Sequence, residues 1–295
     1  MAAFTATCCG RALKMVVFLA RLVFQLLAVY AVVLLLVYVC QRSLQYFPDK
    51  NHPGDPKESA APSMREVELR TEDGLTLNAW FAAPVKRDGK IVVMYHGNAG
   101  HIGHRAVKAQ HFIDKGMGVL LVEYRGFGGN IGSPSEQGLY KDGRAALSFL
   151  EKQEYANAQL VIYGESIGSG VATQMAYEIQ PRYLILEAPF SSAAAVAKKR
   201  YFFLPVDWLM KDRFDNIDKI GGIKTNLLIV HGDEDSVIPI ELAQMLYEQA
   251  NHPKEFITIN GGHHNDLYDH HAGHVVTEWL EKQIAAEEPA VKPEE

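Results

Sequence analysis

Cysteine is nearly missing from this 295-residue chain, and the three present, Cys8, Cys9 and Cys40, all sit at its N-terminal end. The body beyond them can therefore form no internal disulfide and no thiolate metal cluster. Long basic runs are missing too. With a formal charge of −6, the chain lacks the clustered Lys and Arg that neutralise a phosphate backbone, which excludes a nucleic-acid partner. No internal repeat is present. What remains is an ordinary globular composition, 48% hydrophobic and 22% charged. Its length suits one large domain plus a short anchor, and is too small for two comfortable enzyme domains.

One long apolar run is present. Leu22 to Cys40 reads LVFQLLAVYAVVLLLVYVC, with Gln25 its only strongly polar side chain, and that length spans a bilayer core as a helix. A cleaved signal peptide has a shorter apolar run and small residues at its cleavage site, whereas this run ends in Tyr38-Val39-Cys40. Val39 also argues against a lipobox, and no polar face marks a buried amphipathic helix. Arg11, Lys14 and Arg21 precede the run; Arg42, Asp49 and Lys50 follow it. That asymmetry predicts an N-terminus in the cytoplasm and a translocated body. The cysteines flank the membrane where S-palmitoylation occurs, although unmodified thiols are the commoner state.

The expected organisation is an N-terminal segment at 1–21, a transmembrane helix at 22–40 and a linker at 41–63. A domain at 64–288 and a disordered tail at 289–295 follow. The linker is rich in Pro, Asp, Lys and Asn. Within the domain, Arg65–Arg70 and Leu75–Phe81 flank Glu72-Asp73-Gly74, a hairpin signal. Short apolar runs at Ile91–Tyr95, Gly118–Tyr124, Leu160–Tyr163, Tyr183–Glu187, Leu227–Val230 and Glu255–Ile259 alternate with helix-length stretches. This pattern predicts an α/β domain with a mostly parallel sheet flanked by helices. Residues 189–223 break the alternation with a helical, Ala- and aromatic-rich insertion, placed where a cap would cover an active site. Its Phe202, Phe203 and Trp208 fit core packing, an acyl pocket or contact with lipid; Lys198, Lys199 and Arg200 beside them favour proximity to head groups.

The chemistry concentrates in three turns. Gly164-Glu165-Ser166-Ile167-Gly168 is a G-x-S-x-G pentapeptide between an apolar strand and a helical pattern. A nucleophilic serine there sits on a strained turn, and the two glycines remove side chains that would collide. A serine needs a base, and the base needs an orienting carboxylate. The strand at Leu227–Val230 runs into HGDEDSVIP, where Asp235 lies deepest in the turn among Asp233, Glu234 and Asp235. The last strand leads to Gly261-Gly262-His263-His264-Asn265-Asp266, and the motif context favours His264 over His263 as base. Oxyanion donors are expected from the amide of Ile167 and from that of Asn98 in the Tyr95-His96-Gly97-Asn98-Ala99-Gly100 turn.

Together, YHGNAG, YRGFGGNIGSPSEQGLYKD, GESIGSG, HGDEDSVIP and GGHHND resemble the signatures of the α/β-hydrolase superfamily. More narrowly, they resemble its single-domain, membrane-anchored members, which include depalmitoylases. The resemblance covers the body from about Met64 to the C-terminal helix. It implies the α/β-hydrolase fold, hydrolysis of an ester, thioester or amide through an acyl-enzyme, and no cofactor. It does not imply a substrate. The anchor and apolar cap favour a lipid or S-acylated protein; a small soluble ester or amide, or a non-catalytic membrane-held binding module, are the rival expectations. The glycines of Tyr124–Gly129 lack the GK[ST] of a nucleotide loop. His270 and His274 have the i,i+4 spacing of metal ligands but no HExxH accompanies them, so no metal is expected.

Overall fold

In a computed structural model the described residues are 2–287, with side chains from Lys14 onward. The apolar runs become strands: β1 Phe47–Pro48, β2 Arg65–Arg70, β3 Thr76–Ala82, β4 Ile91–Tyr95, β5 Ala99–Gly100, β6 Gly118–Val122, β7 Leu160–Glu165, β8 Tyr183–Glu187, β9 Asn226–Gly232 and β10 Lys254–Ile259. Eight of them form one sheet in the order β10-β9-β8-β7-β4-β6-β3-β2. Only β3 runs against the others, pairing antiparallel with both β2 and β6. The β2–β3 pair is the hairpin that Glu72-Asp73-Gly74 predicts. The helices are α1 Ala2–Gln45, α2 Ala106–Ile113, α3 Glu136–Lys152, α4 Gly168–Ile179, α5 Ala193–Arg200, α6 Val206–Leu209, α7 Ile217–Ile220, α8 Ile240–Gln249 and α9 Ala272–Ala285.

Successive strand residues point to opposite faces, so each central strand feeds two cores. Val93, Ile162, Leu184 and Ile229 pack under α3, α4, α7 and α8. Val92, Val161, Ile185 and Leu228 pack under α2 and α9. Strands apolar on both faces need cover on both, and the helices supply it. This is the predicted α/β-hydrolase architecture. The parallel strands all end at one edge, and the turns that follow β4, β7, β9 and β10 carry the candidate site.

Two expectations are adjusted. The stretch expected as linker, 41–63, begins as helix, because α1 runs unbroken to Gln45. Gln41, Arg42 and Gln45 are held in place by the insertion: Gln41 Nε2 donates to the Leu209 carbonyl at 3.0 Å, Arg42 bridges to Asp212 at 2.8 Å, and Gln45 Nε2 donates to the Asp212 carbonyl at 2.9 Å. The rest of the linker lies along the domain, where β1 pairs with β5. The insertion at 189–223 holds three short helices, α5 to α7. Its Phe202 and Trp208 are almost fully exposed, at 87% and 89%, so core packing is not their use. Upstream, Lys14–Gln45 is long and apolar enough to cross a membrane, and its most apolar part, of mean hydropathy 2.7, is not buried. Cys40 is free and exposed. The side chains of Cys8 and Cys9 and the tail at 289–295 lie outside the described residues.

Candidate active site

Ser166 occupies the turn between β7 and α4 with a φ of +52°, a left-handed conformation costly for any residue with a side chain. The turn is tight enough to require both flanking glycines. A Cβ on Gly168 would lie 2.1 Å from the Tyr95 carbonyl oxygen, and one on Gly164 would lie 2.5 Å from Cβ of Ala172. The Ser166 amide donates to the Glu187 carbonyl at 2.9 Å, fixing the elbow to the neighbouring strand.

The structure brings Ser166, His264 and Asp235 together, although they come from three separate turns. Ser166 Oγ is 2.9 Å from His264 Nε2, and His264 Nδ1 is 2.7 Å from Asp235 Oδ2. Since Asp235 accepts, His264 carries its proton on Nδ1 and turns an acceptor toward the serine hydroxyl. His263 points elsewhere: its Nδ1 meets the Glu234 carbonyl at 2.9 Å, and the side chain is largely exposed. Asp233 is spent on the Gly261 amide at 2.7 Å. Asp235 has a buried side chain, and burial alone would raise its pKa. Hydrogen bonds from His231 and His264, and the amide of Ile238, outweigh that and hold it well below the usual carboxylate range.

Ile167 follows the serine in its own turn, and Asn98 lies in the loop after β4, which begins at the Tyr95 and His96 carbonyls that pack against Gly168. Neither backbone amide has a hydrogen-bond partner among the described residues, as donors reserved for an oxyanion would not. The Asn98 side chain is fully engaged instead: Nδ2 donates to the Gln45 carbonyl at 2.6 Å, and Oδ1 accepts from the Phe47 amide at 3.2 Å. The last turn of α1 is thus clamped to the loop that carries Asn98.

Several supporting residues escape sequence reasoning. His231 Nε2 donates to the Ile238 carbonyl at 2.9 Å and lies 3.3 Å from Asp235 Oδ2; its i,i+4 spacing to Asp235 is the available signal. Behind the elbow, Glu165 receives Arg105 at 2.9 Å and Lys108 at 2.9 Å, and Lys108 also reaches Glu187 at 2.7 Å. Acids closing two buried apolar strands, β7 and β8, are the clue there, because such charges must be paired. Arg105 also donates to the Ala99 carbonyl at 2.7 Å, linking the elbow to the Asn98 loop. Behind that loop, His96 Nε2 meets Glu123 at 2.8 Å.

Among the described residues, Asp49, His101 and His104 gather ligand-type atoms within 4.8 Å of one another. Their geometry is that of a capped turn: His101 Nδ1 accepts from the Gly103 amide at 3.1 Å, and His104 Nδ1 from the His101 amide at 3.5 Å. His274 packs its ring against His111, while His270 lies 3.8 Å from Asp266.

A parallel α/β sheet with a serine on a strained strand–helix turn defines a class of hydrolases, and comparison with known proteins points the same way. A family model described as serine aminopeptidase, S33, matches residues 86–217. An uncharacterized protein of Mycobacterium tuberculosis is 36% identical over 236 residues, 79% of this chain and 84% of its own length. The lysophosphatidylserine lipase ABHD12 of Danio rerio is 28% identical over 293 residues, 82% of this chain and 75% of its own. Among solved structures, the Pyrococcus furiosus esterase Pf2001 matches with a TM-score of 0.65 at 20% identity, over 81% of this chain and 97% of that one; that likeness concerns the fold. The chain belongs to the α/β-hydrolase superfamily, and it is a hydrolase.

Proposed function

We propose that this protein is a membrane-anchored serine hydrolase that cleaves an acyl ester or thioester of a lipid or an S-acylated protein. The observation that carries the reading is the unbroken relay from Ser166 through His264 to Asp235 on a strained elbow. Ser166 Oγ attacks the acyl carbonyl while His264 Nε2 takes its proton, and the anionic Asp235 steadies the imidazolium that forms. The carbonyl oxygen becomes an oxyanion held by the amides of Ile167 and Asn98. His264 returns the proton to the leaving alcohol or thiol, and the acyl group stays on Ser166. Water activated by the same imidazole then releases it. No cofactor enters these steps. The exposed apolar stretch of α1 and the lipases among the relatives support a hydrophobic acyl substrate. The span holds the body to the membrane, with the N-terminus on the cytoplasmic side by the charges of Arg11, Lys14 and Arg21.

The direct test labels the full chain in detergent with a fluorophosphonate probe. Labelling is expected for the native protein and lost in Ser166→Ala without loss of fold; persistent labelling of that variant would remove Ser166 from the mechanism. A chain-length series of p-nitrophenyl esters then reads the substrate class. Long-chain preference supports a lipid, short-chain preference a soluble ester, and no turnover a binding module.

Asn98→Ala checks the oxyanion loop. Losing the clamp removes two hydrogen bonds, to the Gln45 carbonyl and from the Phe47 amide, roughly 1–3 kcal/mol of loop order, so kcat is expected to fall about tenfold or more with KM little changed. Steady-state kinetics with unaltered kcat would take this loop out of the oxyanion site.

A further inference from the structure

The insertion does not merely sit beside α1; it follows the helix downward. Arg42 binds Asp212, Gln41 binds the Leu209 carbonyl, and, far along the helix, Tyr30 Oη donates to the Phe203 carbonyl at 2.7 Å. These three contacts form a ladder that fixes the depth of residues 203–212 against the helix.

The last aromatic before the polar end of the span is Tyr38, and Lys211 lies over its ring with Nζ 4.0 Å from the centroid. A tyrosine capped by a lysine marks head-group level. Tyr30 is eight residues earlier in the same helix, so at 1.5 Å per residue it lies about 12 Å deeper. A leaflet of a bilayer whose hydrocarbon core is about 30 Å thick extends about 15 Å from that level. Phe203 therefore belongs most of the way down the leaflet. Raising Tyr30 to the surface instead would leave Ala31–Val39 in water, with Leu35, Leu36 and Val39 each more than half exposed. It would also draw Lys14 into the hydrocarbon and Arg21 to its middle, where charge is costly.

The loop is built for that depth. Phe202 and Phe203 are exposed and stack edge to face at 5.7 Å. Part of its backbone serves itself: the amides of Tyr201, Leu204, Val206, Trp208 and Leu209 all donate within residues 197–209, and Pro205 has none to place, while those of Phe202 and Phe203 have no partner among the described residues. The charges gather toward the Gln41 end, where Asp207 pairs with Lys198 and Arg213. Lys199 and Arg200 are exposed and, among the described residues, form no ion pair, which leaves them for lipid phosphates.

We propose that residues 201–206 form a second membrane element, a re-entrant aromatic loop that enters the same leaflet as α1, with Lys199, Arg200, Lys211 and the Asp207 ion pairs at the head groups. The proposal rests on α1 spanning the bilayer, and its occupant is lipid. The domain is then held at two points, which fixes its tilt against the membrane.

The test uses the full chain in phosphatidylcholine vesicles and reads tryptophan quenching. Trp80 and Trp279 are buried in the domain, so Trp208→Phe supplies the background and Phe203→Trp in that background reports the loop. Phe202→Trp replaces it if Phe203 tolerates no change. Lipids brominated midway along their chains are expected to quench the new tryptophan at least twofold over the background, with acrylamide quenching it little. Quenching by acrylamide alone puts the loop in water; quenching by neither reagent means a protein surface or second copy covers it; bromines near the head group alone make it a surface contact. Each overturns the proposal. Alkaline carbonate extraction keeps the premise separate: a chain released from vesicles refutes the span of α1, whereas a retained chain with an unquenched loop refutes only the loop.

Discussion

Replacing His264 with alanine is expected to lower kcat/KM toward an activated ester by about 10⁵- to 10⁶-fold, the scale on which removing the base of such a relay acts. Without it, Ser166 keeps its proton and the leaving group receives none. The same logic makes Ser166→Ala nearly as severe and the double variant hardly worse, because the two act as one unit. His263→Ala, one residue away, is expected to stay within about threefold, since that ring contacts only the Glu234 carbonyl and an exposed carboxylate and its partners are at the surface. The contrast between adjacent histidines is the informative part: equal losses in both would mean that the loop is disturbed rather than the base removed. Asp235 is held below the ordinary carboxylate range, its burial outweighed by hydrogen bonds from His231 and His264. It therefore stays ionised from pH 8 down to 5, and its own titration contributes no loss of rate in that window.

Much of this site could be read before any coordinates, for a local reason. A strand that ends in Gly-x-Ser-x-Gly and gives way to a helix has few ways to fold, and the 2.1 Å clearance at Gly168 shows why glycine stands there. Strands β2, β4 and β8 match the sequence reading residue for residue, because alternating or continuous apolar runs bounded by turn residues leave little choice of limits. The assembly of three distant turns around one serine follows from topology, since parallel strands deliver their C-terminal ends to one edge.

What stayed hidden is non-local. The run of Gln41, Arg42 and Gln45 reads as the start of a polar linker, yet it continues as helix because partners 167 to 170 residues away satisfy those side chains. No window of sequence contains that information. The same holds for His231 behind Asp235 and for the Asn98 side chain, whose partners at Gln45 and Phe47 belong to the segment that reads as connection. The insertion was legible as helical and aromatic. Its exposure was not, because phenylalanine and tryptophan look alike in a sequence whether they face a core or a membrane.

Glu165→Gln is expected to destabilise the domain by about 3–5 kcal/mol, the cost of breaking a buried ion pair by removing one partner. For a domain of this size that lowers the melting temperature by roughly 10 °C. Burial pushes the Glu165 pKa upward, but the charges of Lys108 and Arg105 and their hydrogen bonds outweigh it, so the folded carboxyl sits below its ordinary range. A depressed acid contributes stability that is whole above its unfolded pKa and is lost as pH falls through the folded one. Lys108 is shifted the opposite way: burial lowers its pKa, yet Glu165 and Glu187 raise it above the ordinary range, so its contribution is whole below its unfolded pKa and fades only in strong alkali. Both groups are thus charged from pH 5 to 9, and the melting gap between native and variant chains is expected to be constant there. It should narrow below about pH 4, where the unfolded carboxyl takes up its proton. Thermal melts of the full chain in detergent across pH 3–8 check this; a gap that is absent at pH 7, or that widens toward acid, would defeat it. The substitution also loosens Arg105, which holds the Ala99 carbonyl. A fall in kcat without a matching rise in KM is therefore expected below the melting temperature, because the loop carrying Asn98 loses its brace while the relay of Ser166, His264 and Asp235 is left in place.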